Sequence, residues 1–93
     1  MTESDRAIRF DQLITRVAAM ADIDASLMTS GGQDRHLVRN RQILCFIAVK
    51  HLGMSLTAVG RSLNISKVAV LKSVNKGLEI VQQDSVDVKK LLR

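Results

Sequence analysis

The sequence predicts an all-α protein, a small helical bundle, and two observations lead to this fold class. Of the 93 residues 46% are apolar, yet there are two Phe and no Trp or Tyr, so Leu, Ile, Val, Ala and Met supply nearly all of the apolar side chains. There is no Pro, and apolar residues recur at spacings of three and four between short segments containing Gly and Ser. This pattern favours packed helices over a β-sandwich, and the length suits one domain over residues 1–93.

The N-terminal part predicts one long helix followed by one short turn. The long helix covers residues 4–20, and its apolar stripe consists of Phe10, Leu13, Ile14, Val17 and Ala21. Asp24 is expected to cap the short turn, Leu27 and Met28 to anchor it, and the Gly31–Gly32 pair to end it.

A second long helix is predicted to begin after Asp34, which can cap it, and to run to about Leu52, where Gly53 stops it. Its faces differ in character. The apolar face carries Leu37, Leu44, Ile47, Ala48 and His51. The polar face carries Arg35, Arg39 and Gln42.

Two further helices are predicted between Ser55 and Gln82, each opened by a serine cap, Ser55 or Ser66. The turn between them contains Asn64 and Ile65. The second of these helices is expected to bury Val70, Leu71, Val74, Leu78 and Val81. A last short turn is expected to pack Val88 and Leu91 or Leu92.

These two helices have the features of a helix-turn-helix motif. Close packing of the pair needs a small residue where the helices cross, and Gly60 supplies it. The inward-pointing residue of the turn must be apolar, as Ile65 is, and Val70 can anchor the second helix one turn in. In this motif the N-terminal end of the second helix enters the DNA major groove.

The charge distribution points to the same partner. From residue 35 to residue 78 there are eight basic residues and no acidic one, within a net charge of +5. The positive charges of such a block repel one another, and binding to a polyanion relieves this repulsion. We therefore predict binding to double-stranded DNA, with phosphate contacts and base contacts shared among nine residues. They are Arg35, Arg39, Arg41, Arg61, Ser66, Lys67, Val68, Lys72 and Lys76.

The segment "RNRQILCFIAVKHLGMSLTAVGRSL", residues 39–63, resembles the C-terminal DNA-binding domain of the bacterial replication initiator DnaA. The matching positions are Arg39, Arg41, Gln42, Ile43, Ala48, Ser55, Leu56, Gly60 and Arg61. The resemblance implies a helical fold similar to that of the Trp repressor. The initiator reads its box with Gly-Arg-Asp-His-Thr-Thr-Val, whereas this chain has Asn-Ile-Ser-Lys-Val-Ala-Val at residues 64–70. We therefore expect that it does not bind the initiator's own box.

The segment "LNISKVAVLKSVNKG", residues 63–77, is similar to the DnaA-like tails of REP-associated tyrosine transposases. In that group a helix-turn-helix follows a catalytic domain that uses a His pair for metal and a nucleophilic Tyr. This chain has no Tyr. The resemblance implies the target-recognition tail of a transposase-related protein, and a small DNA-binding regulator is the other form that such a domain can take.

Several function classes are not expected. His36 and His51 have no thiol or carboxylate spaced to join them in a metal site, and Cys45 lies among core-like residues. We predict no enzyme activity, cofactor, small-molecule substrate or membrane association, and a cytoplasmic location. The alternative to DNA binding is a helical protein-interaction module whose basic face meets an acidic protein or another subunit.

Overall fold

Six α-helices form the described part of the chain, which is residues 10–29 and 34–92 of a computed structural model. They are α1 (Phe10–Ala21), α2 (Ala25–Met28), α3 (Arg35–Lys50), α4 (Leu56–Leu63), α5 (Lys67–Gln83) and α6 (Val88–Leu92). No strand occurs in these residues, so the prediction of an all-α helical bundle is confirmed. The predicted start of the first helix near Ser4 and the stop at Gly31–Gly32 lie outside the described residues.

Helix α3 is the centre of the bundle and packs antiparallel to α5. Arg39 near the start of α3 meets Asp84 just after α5, and Phe46 in the middle of α3 meets Gly77 in the second half of α5. The other helices pack around this pair, and their side chains complete one buried cluster. It includes Leu13, Val17, Met28, Ile43, Leu44, Ile47, Val59, Leu63, Val70 and Val74.

Four helices begin at the capping residues that the sequence predicts. Asp24 accepts a hydrogen bond from the backbone N–H of Ser26, and Asp34 accepts bonds from the N–H groups of two residues in the first turn of α3. Ser55 accepts from the third residue of α4 and Ser66 from the third residue of α5, at 3.0 and 3.1 Å. Each cap satisfies a backbone donor that the helix leaves unpaired. Gly53, at φ +72°, lies in the left-handed region just after α3, as predicted for its stop.

Helix α5 buries part of the predicted stripe, together with two residues that the prediction did not include. Val70 and Val74 are buried as expected, but Leu71 and Leu78 are 49% and 40% exposed. Gly77 and Ile80 take their places in the core. The buried stripe is therefore rotated from the predicted one, because the closest approach of α3 is at a glycine, which an apolar periodicity does not reveal.

Two other predicted anchors also lie at the surface. Met28 is fully buried, but Leu27, its neighbour in α2, is 48% exposed, so the short helix has one anchor instead of two. His51, assigned to the apolar face of α3, is exposed and lies with its ring edge-to-face against Phe46, at a centroid distance of 5.6 Å.

The last short helix packs as predicted. Leu91 is buried, and Arg16 of α1 donates from Nη1 to the carbonyl oxygen of Leu91 at 3.3 Å. Asp87 accepts a hydrogen bond from the N–H of Lys90 and so caps the N-terminal end of α6. Among the described helices, none is long and apolar enough to cross a membrane.

Candidate nucleic-acid interface

The turn between α4 and α5 has the geometry of a helix-turn-helix. Asn64 adopts a left-handed conformation, φ 60° and ψ 44°, which its short polar side chain tolerates. The N–H of Ile65 donates to the carbonyl oxygen of Gly60 at 2.9 Å. A Cβ atom at Gly60 would lie only 2.7 Å from the carbonyl oxygen of Ile65 and 3.5 Å from a methyl group of Val70. The predicted need for a small residue at this crossing is confirmed.

A shallow surface groove lies at this turn, on the N-terminal side of α5. Two cationic side chains, Arg61 and Lys67, line it together with polar groups of α4 and of the turn. The complete lining is Thr57, Gly60, Arg61, Asn64, Ile65, Ser66 and Lys67. Three residues from the predicted set thus come together here: Arg61, Ser66 and Lys67.

The first turn of α5 directs free backbone donors into the same region. The N–H of Ala69 donates a hydrogen bond to the Ser66 hydroxyl oxygen, and the N–H of Val70 donates one to the Ser66 carbonyl oxygen. The N–H groups of Lys67 and Val68 therefore have no partner within the helix. Such groups, with the positive end of the helix dipole, favour an anion.

Three more of the predicted residues lie further along α5. Val68 is 61% exposed, and Lys72, four residues later, is exposed on the adjacent turn of the same face. Lys76 is exposed too, but it forms an ion pair with Glu79 at 3.4 Å. The unopposed positive charge is therefore concentrated in the first two turns of α5.

Arg35 and Arg39 form a second basic group at the other end of α5. Arg39 donates a hydrogen bond to Asp84, which caps the C-terminal end of α5, and both side chains remain partly exposed. Arg35 is exposed at the start of α3. Since α5 has 17 residues, Arg39 lies about 25 Å along the helix from Lys67. The structure therefore divides the predicted basic residues between two locations.

Arg41, which was predicted to contact DNA, lies inside the fold and is not exposed to a partner in this structure. Its exposure is 6%, and its Nε donates to the carbonyl oxygen of Met28 at 3.3 Å. Its Nη2 atom is buried without a hydrogen-bond partner among the described residues. Burial lowers the pKa of the guanidinium. The side chain joins α2 to α3 and does not face solvent, because its position on α3 faces the buried Met28.

Cys45 and His36 have structural positions. Cys45 is fully buried, and burial raises its pKa from 9.0 to about 11, opposed in part by a hydrogen bond with Ser73. His36 places Nε2 2.8 Å from the carbonyl oxygen of Ala21 and so links α3 to the end of α1. Within residues 10–29 and 34–92, no three metal-ligating side chains converge.

Two polar residues of the groove were missed at the level of sequence. Thr57 and Asn64 line it beside Arg61 and Lys67. The signal for Thr57 was its spacing: it lies four residues before Arg61 in α4, hence on the same helix face. The sequence pattern indicates only a turn at Asn64, and its place in the groove follows from the left-handed turn.

Comparison with known proteins agrees with this geometry. The family model described as "Bacterial dnaA protein helix-turn-helix" matches residues 10–76, which include all of α1 to α4 and more than half of α5. No curated protein and no solved structure matches the chain. Because the model covers most of the sequence and describes the motif observed, the chain belongs to the bacterial DnaA helix-turn-helix family of DNA-binding domains.

Proposed function

We propose that the chain binds double-stranded DNA by placing the N-terminal end of α5 in the major groove. The observation that carries this proposal is the groove at the helix-turn-helix, where Arg61, Lys67 and the unpaired N–H groups of α5 meet. Arg61 and the N–H groups can bind phosphates beside the inserted helix. Their affinity for phosphate is independent of base sequence.

Lys67 and Lys72 are the candidates for contacts with bases. Both are exposed on the first two turns of α5, the part that reaches base edges in this motif. A lysine in this position can donate to O6 and N7 of a guanine. The proposal is therefore that Arg61 and Ser66 set the position of α5, while Lys67 and Lys72 contribute to the choice of sequence.

Arg35 is proposed to contact the DNA backbone at a distance from α5. It begins α3 at the opposite end of the helix pair, and no acidic residue occurs between it and Leu78. Arg39, four residues later in α3, is already about 25 Å along the helix axis from Lys67, and Arg35 lies further still. This separation exceeds the ~12 Å width of the major groove. Arg35 would thus meet phosphates beyond the groove that α5 occupies, and Arg39 would do so if it leaves Asp84.

We further propose that the chain is the target-recognition tail of a transposase-related protein, or a small DNA-binding regulator, and that it carries no catalytic activity itself. Support comes from the residues that replace the initiator's reading signature, Ser66, Lys67, Val68 and Ala69. The coding region upstream of Met1 tests this proposal. A catalytic domain with a His pair and a Tyr supports the tail, and an independent start supports the regulator.

The binding proposal is tested by the salt dependence of affinity for a random duplex library. With five or six phosphates neutralised, the slope of log affinity against log salt is expected to be about −5. Lys67→Ala should weaken binding, whereas Lys89→Ala, which removes an exposed lysine from α6, should have a much smaller effect. A flat salt response, or no binding to duplex at low salt, contradicts DNA binding.

A further inference from the structure

Two apolar side chains on α5 are exposed where the proposed interface lies. Val68 is 61% exposed and Leu71 is 49% exposed. They lie three residues apart, so they are neighbours on one face of the helix. Both belong to the first two turns of α5, whose opposite face is buried through Val70 and Val74.

The surroundings of this apolar pair are cationic. Lys67 precedes Val68 directly and Lys72 follows Leu71, and both lysines are exposed. The nearest acidic residue along α5 is Glu79, two turns further on, and it pairs with Lys76. An acidic surface that also presents isolated apolar groups complements this patch. The major groove of DNA is such a surface, because each thymine carries a C5-methyl group there.

We infer that Val68 and Leu71 are specificity-determining residues that recognise the methyl groups of two thymines. This inference rests on the proposed insertion of α5 into the major groove. Three residues advance about 4.5 Å along a helix, slightly more than the rise of one base pair in B-DNA. The two side chains therefore reach adjacent or next-nearest base pairs, and Lys72 lies one turn beyond Val68. The preferred sites should contain two close thymines beside a guanine.

Leu78 offers a matched control within the same helix. It is 40% exposed, similar to Leu71, but it lies ten residues beyond Val68, about 15 Å along the axis, and next to Glu79. A side chain at this position is far from the end of the helix that enters the groove. Its truncation should leave thymine recognition unchanged.

The experiment begins with selection of bound duplexes from a random library, followed by resynthesis of the best duplex with uracil in place of single thymines. Uracil removes only the methyl group. Each recognised methyl should contribute roughly three- to fivefold in affinity, the value for burying one such group. The loss of affinity that follows replacement of a thymine by uracil is the uracil penalty. In the Val68→Ala variant this penalty should disappear at one thymine position of the duplex, and in the Leu71→Ala variant at the other. Leu78→Ala should retain both penalties.

Two results would overturn the inference while leaving DNA binding intact. One is equal affinity for thymine and uracil duplexes at every position. The other is a sedimentation experiment in which the free wild-type chain is a dimer and both Leu71→Ala and Leu78→Ala are monomers. The exposed apolar face of α5 would then be an interface between two copies of the chain. Failure to bind any duplex at low salt refutes the proposed function itself. All three variants change surface side chains, so unchanged melting temperatures verify that each is folded.

Discussion

Gly77 of α5 lies directly against the backbone of Gln42 in α3. A Cβ atom at this position would be 2.7 Å from the Cβ atom of Phe46 and closer still to the carbonyl oxygen of Gln42. Backbone atoms of a central helix cannot move aside as a flexible side chain can. The distance between the two main helices of the bundle is therefore determined by the absence of a side chain at Gly77.

Gly77→Ala is expected to destabilise the fold, although alanine is the better helix former by about 1 kcal/mol. The added methyl group forces α3 and α5 apart, and overpacking of this kind costs about 1–3 kcal/mol. Urea unfolding measures the loss. Asn75→Ala, at an exposed position of the same helix, is the control and should be neutral or slightly stabilising. A stabilised Gly77→Ala variant would contradict the close packing.

Gly60→Ala is expected to affect both stability and DNA binding. Its methyl group would meet the carbonyl oxygen of Ile65 and displace the turn that orients α5. We expect a loss of about 1–3 kcal/mol in unfolding free energy. Affinity for duplex DNA should fall as well, even at temperatures where the variant is folded. Ser62→Ala, exposed on α4, should change neither quantity, and a Gly60→Ala variant with normal affinity would show that the turn does not position the interface.

Asp84→Asn is expected to release Arg39 for phosphate contact. Both side chains of the ion pair are partly exposed, so its loss should cost at most about 1 kcal/mol of stability. If the freed Arg39 reaches a phosphate, the salt dependence of DNA binding should become steeper by about 1. Asp22→Asn makes the same change in net charge in the turn after α1, where Asn tolerates the left-handed backbone. If the two substitutions change the salt dependence of DNA binding equally, the change is due to net charge alone and not to the release of Arg39.

Arg41→Met is expected to leave the salt dependence of DNA binding unchanged, because the guanidinium is buried against Met28. Arg61→Met should reduce the magnitude of the slope by about 1, since Arg61 is exposed in the groove. Both variants are first characterised by thermal unfolding, so that affinities are compared for folded protein. A smaller slope for Arg41→Met would show that Arg41 reaches the surface in the complex.

Cys45 predicts a specific dependence of stability on alkaline pH. Its pKa is about 11 in the folded chain, above the ordinary 9.0, so the unfolded chain loses the thiol proton first as pH rises. The contribution of the protonated Cys45 thiol to the free energy of unfolding is fully present below pH 9. It is lost between pH 9 and 11, at up to about 1.4 kcal/mol per pH unit. Cys45→Ala should remove this part of the decline. Parallel pH profiles for the variant and the wild type would contradict it.

Much of the local structure follows from the sequence because its causes are local. Serine and aspartate caps satisfy the N–H groups of their own helices, and Ser55 and Ser66 do so as predicted. The turn at Asn64 and the need for Gly60 follow from residues within one short segment. The basic character of residues 35–78 is likewise a property of the sequence alone.

Packing between the helices sets which of these residues face outward together. Apolar periodicity placed Leu71 and Leu78 in the core, but the rotation of α5 depends on where α3 approaches most closely, and that point is Gly77. In the same way a guanidinium is expected at the surface unless a neighbouring element covers it, and Met28 of α2 lies against Arg41. The helices, their caps, the turn and the charge follow from the amino-acid sequence. The exposed apolar pair on α5, the separation of two basic groups by the length of that helix and the burial of Arg41 arise only from packing between segments distant in the chain.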